Sequence, residues 1–352
     1  MPFLANNAYI CRQETFLERK FHIQNRRYLG NKYKLLDFIE DIVNEMCGEV
    51  NSFCDIFAGT GVVGERFNNK NIKVISNDIL YSNYVALYTF LASTNVDLEG
   101  IKEKIDYLNR FEPVGDNYFS INFGDTYFTL ENARRIGAIR EEIGKISENE
   151  EEKLILITSL IYATDKTANT VGHYDAFRNT LDTMQPLELL VPDISEEKNY
   201  NNEVYNEDAN VLINKIRSDV LYIDPPYNSR QYCDTYHLLE NLAIWGKPPV
   251  FGKARKMNRF YLKSKYCLKT AINSFKDLIA SAKCRYILVS YNNTGESKDN
   301  RSNARIRDLE IISILKKKGH LDLFEREYKA FTTGKSITGG HTERIFYCKV
   351  RN

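Results

Sequence analysis

The stretch Val220-Leu-Tyr-Ile-Asp-Pro-Pro-Tyr227 sets four apolar residues before one carboxylate, two prolines and an aromatic ring. The apolar run reads as a buried parallel strand. Two prolines cannot continue a strand or enter a helix interior, so the chain must turn there. Open α/β sheets place ligands at that edge. Asp224, backbone carbonyls with no proline N–H beside them, and the ring of Tyr227 would form a rigid platform. An acceptor pair beside a stacking ring suits a flat ring that bears an exocyclic amino group. An ordinary strand-to-loop turn would carry the same residues.

Other stretches hold groups of matching chemistry. Val50 to Phe57 reads as a strand that runs into Ala58-Gly-Thr-Gly-Val-Val-Gly64 and a helix. Glycines let a backbone turn sharply and approach a ligand. A second strand, Ile72 to Ser76, ends in Asn77 and Asp78, where an acid can accept hydrogen bonds from ribose hydroxyls. A tight turn with a helix-capping acid fits as well. Arg26-Arg-Tyr-Leu-Gly-Asn-Lys32 is a basic, aromatic, glycine-bearing loop before a helix. Lys32 there could meet a carboxylate, although a solvated loop fits too. Asp208 closes a short strand that starts at Asn202. From Lys247 to Lys269 the chain has Lys253, Arg255, Lys256, Arg259, Lys263 and Lys265, no Asp or Glu, and the interleaved Phe260, Tyr261 and Tyr266. That pattern suits phosphate-backbone contacts, or a merely solvated face. Asp165 to Arg178 is dense in groups able to bind phosphate or base edges. His173 in it reads as a structural or contact residue, since no second metal ligand sits at a useful spacing.

The elements that must position these groups follow an alternating strand–helix rhythm. Leu35, Leu36, Phe38, Ile39, Ile42 and Val43 have helical spacing, and 81–95 reads as a helix. From 96 to 200 the rhythm stops. Tyr118, Phe119, Phe123, Tyr127 and Phe128 read there as small-core packing. Thr129 caps a helix through Arg140, and a second helix spans Glu151 to Ala163 around Leu154-Ile-Leu-Ile157. We read 96–200 as an inserted, mostly helical lobe. The rhythm resumes with a helix through Ile216, the strand at 220–223, helices at Asp234 to Trp245 and 270–283, and the strand Tyr286 to Ser290. The turn Tyr291 to Glu296, a helix at 302–318 and strands at Leu321 to Phe331 and Arg344 to Val350 complete the chain. The link Thr332 to His341 is too short for a crossover helix, so these last strands should be antiparallel. The fold class is α/β, with a mostly parallel sheet closed by a C-terminal antiparallel hairpin.

The chain has 352 residues, 43% hydrophobic, with net charge +1. That is enough for one large domain with an insertion or for two domains, with no global field that attracts polyanions. Seven scattered cysteines without a C-x-x-C pair argue against a disulfide framework or zinc site. A reducing, cytoplasmic setting follows. No apolar run reaches membrane-span length, residues 1–25 show no signal-peptide pattern, and no internal repeat is present.

Four stretches, in order, carry a resemblance: Tyr28-Leu-Gly-Asn-Lys32, Asp55-Ile-Phe-Ala-Gly-Thr-Gly61, Asp78, and Asp224-Pro-Pro-Tyr227. The ordered set resembles the N6-adenine DNA methyltransferases of restriction–modification systems, in the group whose cofactor motifs precede the recognition insert. The resemblance implies a Rossmann-like methyltransferase sheet formed by 1–95 and 201–352, with 96–200 as the target-recognition lobe. It implies S-adenosyl-L-methionine as cofactor, double-stranded DNA as partner, and a cognate restriction endonuclease as a functional counterpart. No metal and no membrane are needed. Tyr28, Lys32, Asp55, Phe57, Gly59, Gly61, Asp78, Asp208 and Asp224 would form the cofactor site. Lys32 would pair with the cofactor carboxylate, Asp78 with the ribose and Asp208 with the adenine amine. Tyr227 would stack on a flipped adenine. Asp224 and the Pro225 carbonyl would accept its amino hydrogens, on a turn stiffened by Pro226. Lys253, Arg255, Lys256, Arg259, Lys263, Lys265, His173 and Arg178 would contact DNA. The chain departs from the group's commonest pattern in having Tyr28 where Trp also occurs, and Leu-Gly-Asn in place of two glycines. Asn228 to His237 resembles modification enzymes paired with type IIS endonucleases. An amino-group methyltransferase acting on RNA or protein, an inactive DNA-binding module, and a nicotinamide oxidoreductase remain as alternatives.

Overall fold

A computed structural model describes residues 19–181, 185–291, 304–328 and 341–351. Seven strands form its main sheet: β1 Ser52–Asp55, β2 Lys73–Asn77, β3 Glu203–Tyr205, β4 Ser218–Ile223, β5 Cys284–Ser290, β6 Gly319–Tyr328 and β7 His341–Val350. Their order is β6-β7-β5-β4-β1-β2-β3. Neighbours from β3 to β5 run parallel, and β7 lies antiparallel to both β5 and β6. The C-terminal hairpin is therefore antiparallel, as its short link requires. The link itself, apart from His341, lies outside the described residues, as does the turn after Tyr291.

The chain adds β2 and β3 on one side of β1, then returns to add β4 and β5 on the other. The order thus reverses between β1 and β4, and a crevice opens at their carboxyl ends. Alternation along each strand sends side chains to two separate cores. Phe53, Val74, Val220, Tyr222 and Leu288 join one, and Cys54, Ile75, Leu221, Ile223, Ile287 and Val289 the other. Both faces are covered, which explains why the strands read as continuous apolar runs.

Helices α1 Leu36–Met46, α2 Val62–Phe67 and α3 Tyr81–Leu91 accompany the first strands. Between α3 and β3 come α4 Leu98–Arg110, α5 Tyr118–Phe123, α6 Leu130–Ile146 and α7 Glu150–Thr167. Thr129 caps α6 by accepting Asn132 N–H at 3.2 Å, as its position suggests. Helices α6 and α7 run further than expected, to Ile146 and Thr167; α6 passes through Gly144, and no glycine or proline interrupts α7. Helix α7 buries Leu154 through Asp165 and packs on α3, where Thr89 and Thr158 hydroxyls meet at 2.7 Å. Phe119, Phe123, Tyr127 and Phe128 are buried, so these aromatics do pack a core. That core is continuous with the sheet's.

Later elements depart from expectation in three places. The helix expected through Ile216 is short, Ala209–Leu212, and continues as turns. The helix expected from Asp234 to Trp245 breaks at Tyr236 into Tyr232–Thr235 and α8, His237–Ile244. Tyr236 leaves helical geometry because its ring and hydroxyl are committed to the loop at Tyr28 and Leu29. After α9, Ala271–Ser281, the last helix α10 spans Asp308–Lys318, not 302–318. Its start is fixed at Arg307, extended, whose N–H donates to Glu310 at 2.8 Å.

Candidate active site

The crevice holds a cavity of about 1030 Å³, its mouth included. Tyr28, Phe57, Gly59, Asp78, Asp208, Asp224 and Pro226 all line it. Lys263, Lys265, Tyr261 and Tyr266 from the basic stretch close its other side. Lys32, Asp55, Gly61, Pro225 and Tyr227 do not reach the wall.

Asp78 follows β2 directly. One of its oxygens accepts Gly59 N–H at 3.0 Å and the other Leu80 N–H at 2.8 Å. Burial pushes its carboxyl up to about 6, although those N–H groups and Asn83 pull it down. Asn77 staples the strand ends together, donating to the carbonyls of Ile56 and Glu207, each at 3.1 Å. Gly59 and Gly61 have φ of +55° and +85°. A Cβ on Gly59 would lie 3.0 Å from the ring of Tyr28, and one on Gly61 2.5 Å from Leu87. The first glycine lets the ring approach the turn, and the second lets α2 pack down on α3.

The Tyr28 ring stacks on Tyr236 with centroids 4.5 Å apart, and on Tyr232 at 5.3 Å. Tyr236 Oη accepts Leu29 N–H at 2.7 Å, and Tyr232 Oη donates to the Leu29 carbonyl at 3.0 Å. Two tyrosines one helical turn apart thus clamp a single residue, Leu29, by its N–H and its carbonyl. Arg26, buried, sits 5.7 Å from the Tyr28 and Tyr236 rings and donates to Asn83. The loop so held sends Lys32 beneath the cavity floor.

There Lys32 Nζ lies 3.1 Å from Asp224 Oδ1 and 3.4 Å from Glu343 Oε1. Burial would lower the Lys32 ammonium, but the two carboxylates outweigh it and hold it well above the usual range. Burial raises the Asp224 carboxyl to about 6; Lys32 opposes this and Glu343 adds to it. Asp55, 1% exposed, has one oxygen without a hydrogen-bond partner. Burial, then Asp224 and Asp78, push its carboxyl far up. Phe57 packs edge-on against Tyr266 at 5.0 Å. Tyr227 meets Tyr291 edge-on at 6.1 Å, and its carbonyl accepts Arg305 N–H at 2.7 Å. Asp208 accepts Asn210 N–H at 2.8 Å and lies 3.9 Å from Lys265.

The basic stretch is acid-free in sequence but not in space. Lys256 pairs with Asp175 at 2.7 Å, Arg259 pairs with Asp234, and Lys247 pairs with Glu141. Lys253, Arg255, Lys263 and Lys265 are exposed. His173 lies 4.0 Å from Asp175, and burial lowers its pKa. Arg178 is exposed, its backbone tied to Asn169. Among the described residues no group of three or more His, Cys, Asp or Glu could hold a metal, and no helix is long and apolar enough to cross a membrane.

Glu343 lies in no marked stretch, and Arg26, Tyr232 and Tyr236 lie in marked stretches but had no role assigned to them. The four-residue spacing of the tyrosines was the one local signal; Glu343 had none.

A mostly parallel sheet in this order with one reversed strand, and an acid-rimmed cavity at its switch point, are consistent with a methyltransferase fold. Residues 28–303 match the sequence profile of the D12 class N6 adenine-specific DNA methyltransferases, and the chain belongs to that family. It is 38% identical over 349 residues to the type II methyltransferase M.FokI of Planomicrobium okeanokoites, covering 91% of this chain and 52% of that one. It is 34% identical over 328 residues to M.NlaIII of Neisseria lactamica, covering 89% and 95%. With the modification methylase StsI of Streptococcus sanguinis, identity is 35% over 289 residues, covering 76% and 44%. The chain therefore spans about half the length of M.FokI and nearly all of M.NlaIII.

Proposed function

We propose that this chain methylates the N6 amine of an adenine flipped out of a specific double-stranded DNA site, using S-adenosyl-L-methionine, and so protects that site from a cognate restriction endonuclease. The observation that carries this reading is that Gly59, Asp78 and Asp224 line one cavity. The donor set fits the cofactor. Asp55, Asp78, Asp224 and Glu343 outnumber Lys32 around the cavity floor, and Asp55 has an unpartnered oxygen. Such an acidic cradle suits a ligand with a sulfonium and an ammonium. When bound, the cofactor supplies an electrophilic methyl group.

The chain's residues supply position and polarity. Tyr28, Phe57 and the Gly59–Gly61 turn shape the cofactor wall, Asp78 takes the ribose hydroxyls, and Asp208 the adenine amine. Asp55 lies behind the methionine end; Lys32, paired with Asp224 and Glu343 beneath the floor, does not line the cavity that the cofactor's carboxylate would enter. Tyr227 stacks on the flipped base. Asp224 and the Pro225 carbonyl accept the two amino hydrogens, which turns the nitrogen lone pair toward the methyl group; Pro226 stiffens the turn. Holding that alignment is most of the catalysis. Residues 96–200 act as target-recognition lobe, with His173 and Arg178 near the base edges. Lys253, Arg255, Lys263 and Lys265 contact phosphates, while Lys256 and Arg259 brace that surface through Asp175 and Asp234. Unpaired cysteines suit a cytoplasmic setting.

Labelled S-adenosylmethionine offered with DNA, RNA and protein tests the reading. Label in DNA, stable as N6-methyladenine, supports it. Label only in RNA or protein ends it.

A further inference from the structure

Glu343 belongs to no motif, yet it sits in the charged floor of the site. The reason is topological. Strand β7 runs against its neighbours, so it begins at the edge where the parallel strands end. Its early residue Glu343 therefore arrives beside the turn that follows β4, two strands away. Its side chain is 6% exposed, 3.4 Å from Lys32 Nζ. It also accepts the Ser290 hydroxyl at 2.9 Å, from the last residue of β5. The β5–β7 ladder fixes this position through the pairing of Ile345 with Ser290. The neighbouring Arg344 is committed to Asp308 at 2.6 and 2.9 Å. One buried ammonium is thus shared by two carboxylates, of which Asp224 lines the cavity and Glu343 does not.

We propose that Glu343 is a positioning residue, which holds Lys32 from behind so that Asp224 keeps its acceptor strength for the substrate amine. This rests on Asp224 being the amine's acceptor, as proposed above. An ammonium with a single carboxylate partner would fasten on Asp224 and compete with the incoming amine for its oxygens. A second, fixed carboxylate divides that attraction. Ser290 keeps the divider in place.

The groups that face Asp224 are Lys32, Asp55, Tyr222, Tyr227, Tyr232 and Glu343. Replacing Glu343 by glutamine removes one negative neighbour and leaves the volume unchanged. With labelled S-adenosylmethionine and duplex DNA, E343Q should lose roughly tenfold to a hundredfold in kcat, with the cofactor KM within about threefold. The acid limb of its kcat/KM profile should move to lower pH. S290A should move kcat and the limb the same way by less, which covers the case in which E343Q does not fold. A folded E343Q with unaltered kcat and an unmoved limb overturns the inference, as does a fully unaffected S290A if E343Q does not fold. If the unaltered chain labels no DNA, the functional reading falls, and this inference with it.

Discussion

Asp78 and Asp224 face the cavity from the ends of β2 and β4, with β1 between them, and burial pushes each carboxyl up to about 6. An acid that must accept hydrogen from an amine works only when ionised. Transfer should therefore fail as pH falls: kcat/KM is expected to drop about tenfold per unit below about pH 6, and more steeply if Asp78 must also be ionised. A profile flat through that region would remove Asp224 from its role. The same shifts bear on stability. The native chain holds more protons than the unfolded one between the ordinary carboxyl range and about 6, so this contribution is present in acid and lost as pH rises through that window. These two acids were legible in the sequence because each ends an apolar run that could only be a strand. Glu343 was not, because its relevance comes from strand reversal and from partners remote in the chain. Lys32 was legible as a carboxylate's partner, but nothing local named Asp224 as the carboxylate it meets here.

The turn between β1 and α2 depends on Gly61, at φ +85° with Leu87 and Ile23 side chains 2.5 and 2.9 Å from where a Cβ would lie. Gly61→Ala should cost about 2–3 kcal/mol through strain and crowding, read as a lower denaturation midpoint. A midpoint unchanged within error would mean that α2 shifts freely. The basic stretch divides by element as well. Removing Lys263 should weaken DNA binding across sequences and lower the salt slope by about one. Removing Lys256, held by Asp175, should leave that slope alone. Affinity measured at several salt concentrations separates the two, and equal slopes for both variants would refute the division. Sequence reading could not see it, since the acids that occupy Lys256 and Arg259 lie on other segments. It did find the Thr129 cap, whose signal is local. It missed the break at Tyr236, because a ring recruited by a distant loop overrides local helical preference.

Helices α4 to α7 and the sheet share one hydrophobic core: Ile105, Ile136 and Leu156 are continuous with Phe53, Val74 and Val220. A segment so joined should unfold with the sheet in a single cooperative transition. Two resolved transitions in urea would instead mark 96–200 as an independently stable lobe. The chain's one tryptophan, Trp245, sits at this junction. It ends α8 in a left-handed conformation, edge-on to Tyr118 at 6.0 Å, with Arg140 and Lys247 over its ring. The aromatic part of the cavity wall is tyrosines and Phe57 and leaves this indole out. The molecule therefore carries its own optical label: emission from that lone indole, excited at wavelengths tyrosine does not absorb, reads how the helices seat against α8 and not what fills the crevice.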